Sequence, residues 1–315
     1  MKILCIVPLQ AELLQKLREQ FPHVEVVKCK KIEEADDAAL QAEVLMAYIS
    51  QLNDEVLNRL PKLRWIQVFS AGVDHLALDQ LEARGITLTN ASGAHKIPMS
   101  EYAIGVMLQE VKHYISLYEQ QKQSVWNQRL PFGELDGKTV SILGAGSIGQ
   151  EIAKRAKVFG MHTIGVNRSG READGIDQMY MQKDVDHALR QADFVILAAP
   201  LTKETYHWVN AEKLSQMKHD AVLINLGRGE LIDEGALIDC LQEHAIKRAY
   251  LDVFQVEPLP VESPLWKLDN CVITPHISAI SERYNERCLE IFIHNLQQYM
   301  NNEALTNIVE PSIGY

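Results

Sequence analysis

Cysteine is scarce: Cys5, Cys29, Cys240, Cys271 and Cys288 are the five in 315 residues. Their odd number, wide spacing and lack of a CxxC pair indicate neither a disulfide framework nor a zinc site, and they fit a reducing, cytoplasmic setting. Long hydrophobic runs are absent too. The apolar start, MKILCIVPLQAELL, breaks at Pro8 and Gln10 without a small-residue cleavage site, and nothing later approaches the length of a membrane span. Positive charge is in deficit: 31 Lys and Arg against 42 Asp and Glu give a formal charge of −11. That field repels nucleic acid and anionic membranes, so neither is expected as a partner, and an anionic substrate would need local basic groups. No low-complexity tract or short-period repeat is visible.

What is present is a chain long enough for two cores, with short β-branched runs alternating with helical periodicity. This is the pattern of α/β folds in which helices cover both faces of a parallel sheet. A first series reads KILCIV, VEVVKC, VLMAYI, RWIQVF and ITLTN, with amphipathic segments such as residues 11–20 and 73–83 between the runs. A second reads TVSILGA, HTIGVN, FVILAAP, AVLINLG, AYLDVF and CVITP. Between the series, Ala103, Ile104, Met107, Leu108, Val111, Ile115 and Tyr118 recur at helical spacing behind Pro98 at a first turn, which predicts one helix bridging two domains. A last amphipathic helix, with Cys288, Ile291, Phe292, Asn295 and Leu296 on one side, is expected to return to the first domain.

Gly144, Gly146 and Gly149 close a β-branched run and open a helix with Ile152, Ala153, Ala156 and Phe159 on one face. In that context the GxGxxG spacing is a dinucleotide signal: Gly144 permits the tight turn, Gly146 lets backbone approach phosphate, and Gly149 lets helix and strand lie close. The bland alternative is a strand-to-helix turn that binds no nucleotide. An acid should follow at the end of the next strand to hold the adenosine ribose, yet Asn167, Arg168 and Ser169 stand there, with Arg171 beyond. An acid would repel a 2′-phosphate, whereas arginine and hydroxyl groups would grip it, so NADP(H) is expected as the preferred cofactor, with NAD(H) possible. The competing reading is a polar surface loop beside an NAD site.

Ligands of open α/β sheets sit beyond the carboxyl ends of strands. There, LINLGRGELID carries Arg228, AYLDVFQVEP carries Asp252 and Glu257, and VITPHISAIS carries His276. Reduction of a 2-oxo acid needs hydride at the carbonyl carbon, a proton at its oxygen and a fixed carboxylate. Arginine suits the planar carboxylate through paired, charge-assisted bonds, and histidine suits proton transfer near neutral pH, with a carboxylate favouring the imidazolium. Singly, each has a plain reading as a solvated acid, a salt-bridging arginine or one of eleven histidines. In FSAGVDHL, Ser70, Ala71 and Gly72 end a strand before a helix beginning near Val73, so backbone N–H groups could meet a carboxylate there.

Taken with FSAGVDHL, NASGAHKIPMSEYAIGVML, ILGAGSIGQEIAKRAKVFGM, AAPLTKETYHWVN and TPHISAIS, the chain resembles the D-isomer-specific 2-hydroxyacid dehydrogenases over nearly its full length. The resemblance implies two doubly wound parallel-sheet domains with a cleft that closes on the ligand. Residues 1–98 and 282–315 would form a discontinuous, flavodoxin-like substrate domain, and 99–281 the Rossmann-type cofactor domain. It further implies Arg228 on the substrate's carboxylate and keto oxygen, His276 as acid–base group, Glu257 orienting it, and Asp252 on the nicotinamide carboxamide. Ser147, Ile148, Pro200 and Thr205 would join the cofactor site, Ala71 and Gly72 the substrate site, with no metal. Ala279 departs from a frequent glycine and could alter the pocket, for which Trp126, Ile280 and Tyr284 are candidates. A homodimer through the cofactor domain is implied as well. The expected activity is a reductase of glyoxylate, hydroxypyruvate or another small 2-oxo acid. An NAD-using phosphoglycerate dehydrogenase ranks below it, because the chain ends near residue 315 without an added regulatory domain. From another class comes a nucleotide-sensing binding protein of the same fold.

Overall fold

Strands of the first series hold together because alternate residues enter two separate hydrophobic layers. In β1 (Lys2–Cys5) Ile3 and Cys5 join one layer and Leu4 the other; in β3 (Val44–Ala47) Val44 and Met46 part from Leu45 and Ala47 in the same way. Both faces are buried, so each strand reads as a continuous apolar run. The computed structural model describes residues 1–73 and 78–309 and divides the chain into two units, 1–95 with 281–315, and 96–280. In the first unit β2 (Glu25–Lys28), β4 (Trp65–Val68) and β5 (Thr87–Thr89) complete a parallel sheet in the order β2-β1-β3-β4-β5, the doubly wound flavodoxin-like order. The helix Ala11–Gln20 matches the expected segment, and the helix Tyr284–Met300 lays Cys288, Leu289, Phe292, Ile293 and Leu296 on the layer of Ile3 and Trp65. Ile291, expected on that face, is only partly buried. The expected helix start near Val73 falls on residues 74–77, outside the described residues; Leu78–Ala83 is helical.

The second unit has seven parallel strands: β6 (Thr139–Leu143), β7 (His162–Asn167), β8 (Gln178–Met181), β9 (Phe194–Leu197), β10 (Val222–Asn225), β11 (Arg248–Leu251) and β12 (Cys271–Ile273). Their order, β12-β11-β10-β9-β6-β7-β8, is the Rossmann order with one strand added, and it reverses direction between β6 and β9. That reversal opens the crevice where such sheets take ligands. The two expected doubly wound parallel-sheet domains are therefore both present.

The helix expected to run unbroken from Pro98 past Tyr118 is two: Lys96–Lys112 and Tyr114–Lys122, parted by His113 at φ 54°. A left-handed residue cannot continue the turn. Near the end of the first of these helices Glu110 is 5% exposed and meets Lys247 Nζ at 2.8 Å, Arg248 Nε at 3.1 Å and the Tyr250 hydroxyl at 2.9 Å. Burial pushes its carboxyl up, but the hydrogen bonds and charges of Lys247, Tyr250 and Arg248 outweigh it and hold the group below the usual carboxylate range. Removing Glu110 leaves the buried Tyr250 hydroxyl without its acceptor, while Lys247 and Arg248 keep access to solvent, so Glu110→Ala should destabilise the fold by about 1–3 kcal/mol in urea titration. Because the folded-state value is lowered, Glu110's contribution is fully present above its unfolded pKa and is lost as pH falls through the folded one. The wild-type advantage over Glu110→Ala should accordingly shrink on acidification. An advantage that persists unchanged into strong acid would refute the electrostatic account.

Candidate active site

Gly144 follows β6 at φ 109°, and a Cβ there would collide with the backbone of Ala198 and Ala199 beyond β9. Only glycine fits this turn. Gly146 precedes the helix Ser147–Val158 without a side-chain cap; it and Ser147 are exposed, and a Cβ added to Gly146 meets nothing within 4 Å. The protein's own packing therefore leaves space in front of the helix's first N–H groups, at the positive end of its dipole, and a pyrophosphate fits that donor set. Ile148 is half-buried against the core of the unit.

Beyond β7, Asn167 behaves differently from expectation. Its Oδ1 accepts from Ser169 N at 3.1 Å and Gly170 N at 2.6 Å, and its Nδ2 donates to Arg171 O at 3.0 Å. The amide is thus engaged in shaping the loop that presents Arg168 and Ser169, both exposed. Arg171 folds back so that its Nε donates to Ser169 Oγ at 3.3 Å. An aspartate at position 167 could accept the same two N–H bonds but could not donate to Arg171 O. Across the crevice edge Thr205 is buried and donates to Pro200 O at 2.7 Å, so it shapes the 200–205 turn. Hydrogen bonds from Thr202 and the local backbone hold the Glu204 carboxyl below its ordinary range, with the Arg168 charge adding to them. Arg168 and Glu204 thus share one neighbourhood.

In the register of β10, β11 and β12 the residues Asn225, Leu251 and Ile273 stand level. Arg228, Asp252 and His276 therefore leave the sheet at the same edge, three, one and three residues later. His276 sits at φ 53°, and its Nδ1 lies 2.7 Å from Glu257 Oε2, while Glu257 Oε1 accepts from Phe254 N at 3.0 Å. A carboxylate accepts only, so the network assigns the Nδ1 hydrogen to the imidazole in either protonation state and leaves Nε2 as the atom that gains and loses a proton. Non-glycine residues at positive φ are costly and are held by their surroundings. Here the surroundings are Asp252: fully buried, it accepts from Thr274 Oγ1 at 2.5 Å, Ile277 N at 2.9 Å and Ser278 N at 2.9 Å, and its carbonyl accepts from His276 N at 2.8 Å. Its carboxylate is thus turned onto the 274–278 segment. Ala279 packs against the core of this unit.

Arg228 follows β10, with Nη1 donating to Gly227 O at 2.9 Å. Its loop is tied by Asn225, whose Nδ2 donates to Arg228 O at 2.9 Å and whose Oδ1 accepts from Gly227 N at 3.1 Å. In the first unit, Phe69 O accepts from the Tyr284 hydroxyl at 2.7 Å, Ser70 O from Ala91 N at 2.9 Å and Ala71 O from Asn90 Nδ2 at 3.0 Å. Carbonyl and N–H point opposite ways across a trans peptide, so the N–H groups of Ser70, Ala71 and Gly72 face away from these anchors. Of the candidate pocket residues, Tyr284 stacks on His95 with its hydroxyl engaged, while Trp126 and Ile280 are exposed. Sequence reasoning missed Asn225 and Thr274. A polar residue at the inner end of an apolar strand was the available signal for the first, and a hydroxyl just past β12 for the second. Among the described residues no group of three or more His, Cys, Asp or Glu could hold a metal ion.

Residues 104–278 match the family model described as "D-isomer specific 2-hydroxyacid dehydrogenase, NAD binding domain". A glyoxylate reductase of Pyrococcus horikoshii is 35% identical over 90% of this chain and 85% of its own. A D-3-phosphoglycerate dehydrogenase of Methanocaldococcus jannaschii is 33% identical over 99% of this chain, which spans 60% of that protein. Among solved structures, a D-isomer specific 2-hydroxyacid dehydrogenase family protein of Aeromonas salmonicida superposes with TM-score 0.86 at 37% identity, covering 98% of each chain. A D-isomer specific 2-hydroxyacid dehydrogenase of Xanthobacter autotrophicus Py2, solved with NADPH and MES, superposes with TM-score 0.83 at 26% identity, covering 100% of this chain and 99% of its own. Glycine turn, strand-end imidazole and matched relatives converge: the chain belongs to the D-isomer specific 2-hydroxyacid dehydrogenases, oxidoreductases that use a nicotinamide cofactor.

Proposed function

We propose that the protein reduces a short 2-oxo acid of the glyoxylate or hydroxypyruvate class to its D-2-hydroxy acid, with NADPH preferred and NADH accepted. The observation that carries this reading is the 2.7 Å His276–Glu257 pair on the sheet edge that also bears Arg228 and the Gly144–Gly149 turn. When bound, the nicotinamide supplies the hydride for the carbonyl carbon. Arg228 holds the carboxylate and draws electron density toward the keto oxygen, and His276 Nε2 delivers the proton to that oxygen. Glu257 keeps Nδ1 protonated and so fixes which nitrogen does the work. In the reverse direction the same Nε2 takes the hydroxyl proton. The N–H groups of Ala71 and Gly72, turned away from their anchored carbonyls, support a further carboxylate site in the first unit.

The preference for NADPH rests on Arg168, Ser169 and Arg171 on the Asn167-shaped loop, and a relative's complex with NADPH agrees with it. Changing Arg168 to Asp should raise KM for NADPH by about ten- to a hundredfold and leave KM for NADH within about twofold. Equal effects on both cofactors would refute the assignment. The phosphoglycerate dehydrogenase relative favours a second reading, an NAD-linked oxidation of that substrate. Following NADPH and NADH absorbance against glyoxylate, hydroxypyruvate, further 2-oxo acids and 3-phosphoglycerate separates the two; silence across the panel would mean a nucleotide-sensing binding protein. We further propose a cytoplasmic homodimer joined through the second unit. Its free cysteines fit a reducing compartment, and Trp126, Tyr118, Tyr114, Val125 and Phe132 leave an exposed apolar surface there. Among the described residues no helix is long and apolar enough to cross a membrane.

A further inference from the structure

Tyr102 lies on the helix Lys96–Lys112, within the NASGAHKIPMSEYAIGVML segment but with no role in the site described so far, and its hydroxyl is 2.7 Å from Thr274 Oγ1. Proton bookkeeping settles the direction of that bond. Asp252 is the acceptor of Thr274 Oγ1 at 2.5 Å, so the single Thr274 hydroxyl hydrogen is spent there. Tyr102 must therefore donate to Thr274, and the chain runs from phenol to threonine to buried carboxylate. The same carboxylate receives Ile277 N and Ser278 N, the two peptide groups that follow His276. One residue before His276 and two after it are thus tied to one carboxylate, and Tyr102 closes the far end.

The helix that carries Tyr102 is itself anchored. Eight residues on, about 12 Å along the axis, Glu110 is bound to Tyr250 and Arg248 of β11, the strand that Asp252 follows. One rigid element thus grips β11 directly and, through Thr274, the segment beyond its end. Burial pushes the Tyr102 phenol up, opposed by its bond to Thr274 and reinforced by the Asp252 charge, which keeps it a neutral donor.

We infer that Tyr102 is a positioning residue for the acid–base histidine: through Thr274 and Asp252 it fixes the left-handed His276 backbone and so the aim of Nε2. The inference rests on the reductase reading above. It concerns placement of the imidazole, and Tyr102 touches neither substrate nor cofactor in it.

The test compares Tyr102→Phe, Thr274→Val, the double variant and Thr274→Ser in the full-length protein. Tyr102→Phe keeps the ring and removes the hydroxyl. Its kcat should fall about three- to tenfold, while KM for the 2-oxo acid and Kd for NADPH stay within about twofold. Thr274→Val should lose at least as much, the double variant no more than Thr274→Val alone, and Thr274→Ser should recover most of it, because one chain of bonds is broken only once. Independently of turnover, the downfield proton NMR signal of the His276 Nδ1–H against Glu257 should broaden or shift in Tyr102→Phe and Thr274→Val and stay as in the wild type in Thr274→Ser. Thermal melting checks that each variant folds. Wild-type turnover with unchanged kcat and unchanged imidazole signal in Tyr102→Phe, or losses that simply add, would overturn this inference alone. A wild type that turns over no 2-oxo acid would overturn the reductase reading, and this inference with it.

Discussion

His276→Asn should lower kcat for 2-oxo acid reduction by about 10²- to 10⁴-fold, the range general acid–base catalysis supplies, with Kd for NADPH unchanged within about twofold. Asparagine is the informative replacement for two reasons. It tolerates positive φ better than other non-glycine residues, so the backbone at φ 53° is retained and the bonds from Ile277 and Ser278 to Asp252 persist. Its amide can still donate to Glu257, which keeps the carboxylate satisfied. What asparagine lacks is a nitrogen that exchanges a proton near neutral pH. The cofactor donors, from Gly146 to Arg171, lie on other loops and are untouched. Stopped-flow absorbance with saturating NADPH measures kcat, and fluorescence titration measures Kd. A loss smaller than about tenfold would mean that the proton comes from elsewhere.

The sheets were legible because both faces of their central strands are buried, which writes continuous runs such as Val222–Asn225 into the chain. β8 was not. Gln178, Met179, Tyr180 and Met181 form an edge strand with no fully buried residue, so no apolar run marks it. The break at His113 was equally hidden. Ile115 and Tyr118 keep helical spacing with the residues before them, but both are exposed, so the spacing there did not report a buried face. At the site, residue type carried the information: only glycine fits the turn at 144, and a histidine with a distant acid at successive strand ends has few other uses together. Asn167 was half legible: its place at the end of β7 could be read, but not that its amide shapes the loop. Asn225 carried a signal, a polar residue ending an apolar strand, but Tyr102 could not be read, because what it does depends on which loop the fold lays beside it.

The anion end of the reaction offers the second large effect. Arg228→Lys should reduce kcat/KM for the 2-oxo acid by about 10²- to 10³-fold, within the range for truncating one member of a buried, hydrogen-bonded charge pair. Lysine keeps the positive charge, so any general attraction of an anion to this edge remains. What it loses is the planar fork: one ammonium cannot hold a carboxylate oxygen and the adjacent keto oxygen in a single plane, and it sits on a stem free to take other rotamers. The fold gives little reason for collateral damage. Asn225 ties the loop through Arg228 O and Gly227 N, backbone atoms present whatever side chain stands at 228. Kd for NADPH should therefore hold, and the loss should fall on kcat as well as KM, because alignment of the keto oxygen with His276 Nε2 matters more in the transition state than in the bound ground state. An Arg228→Lys enzyme whose only defect is a raised KM would show that Arg228 merely captures the substrate's charge, and would move the orienting role to other groups.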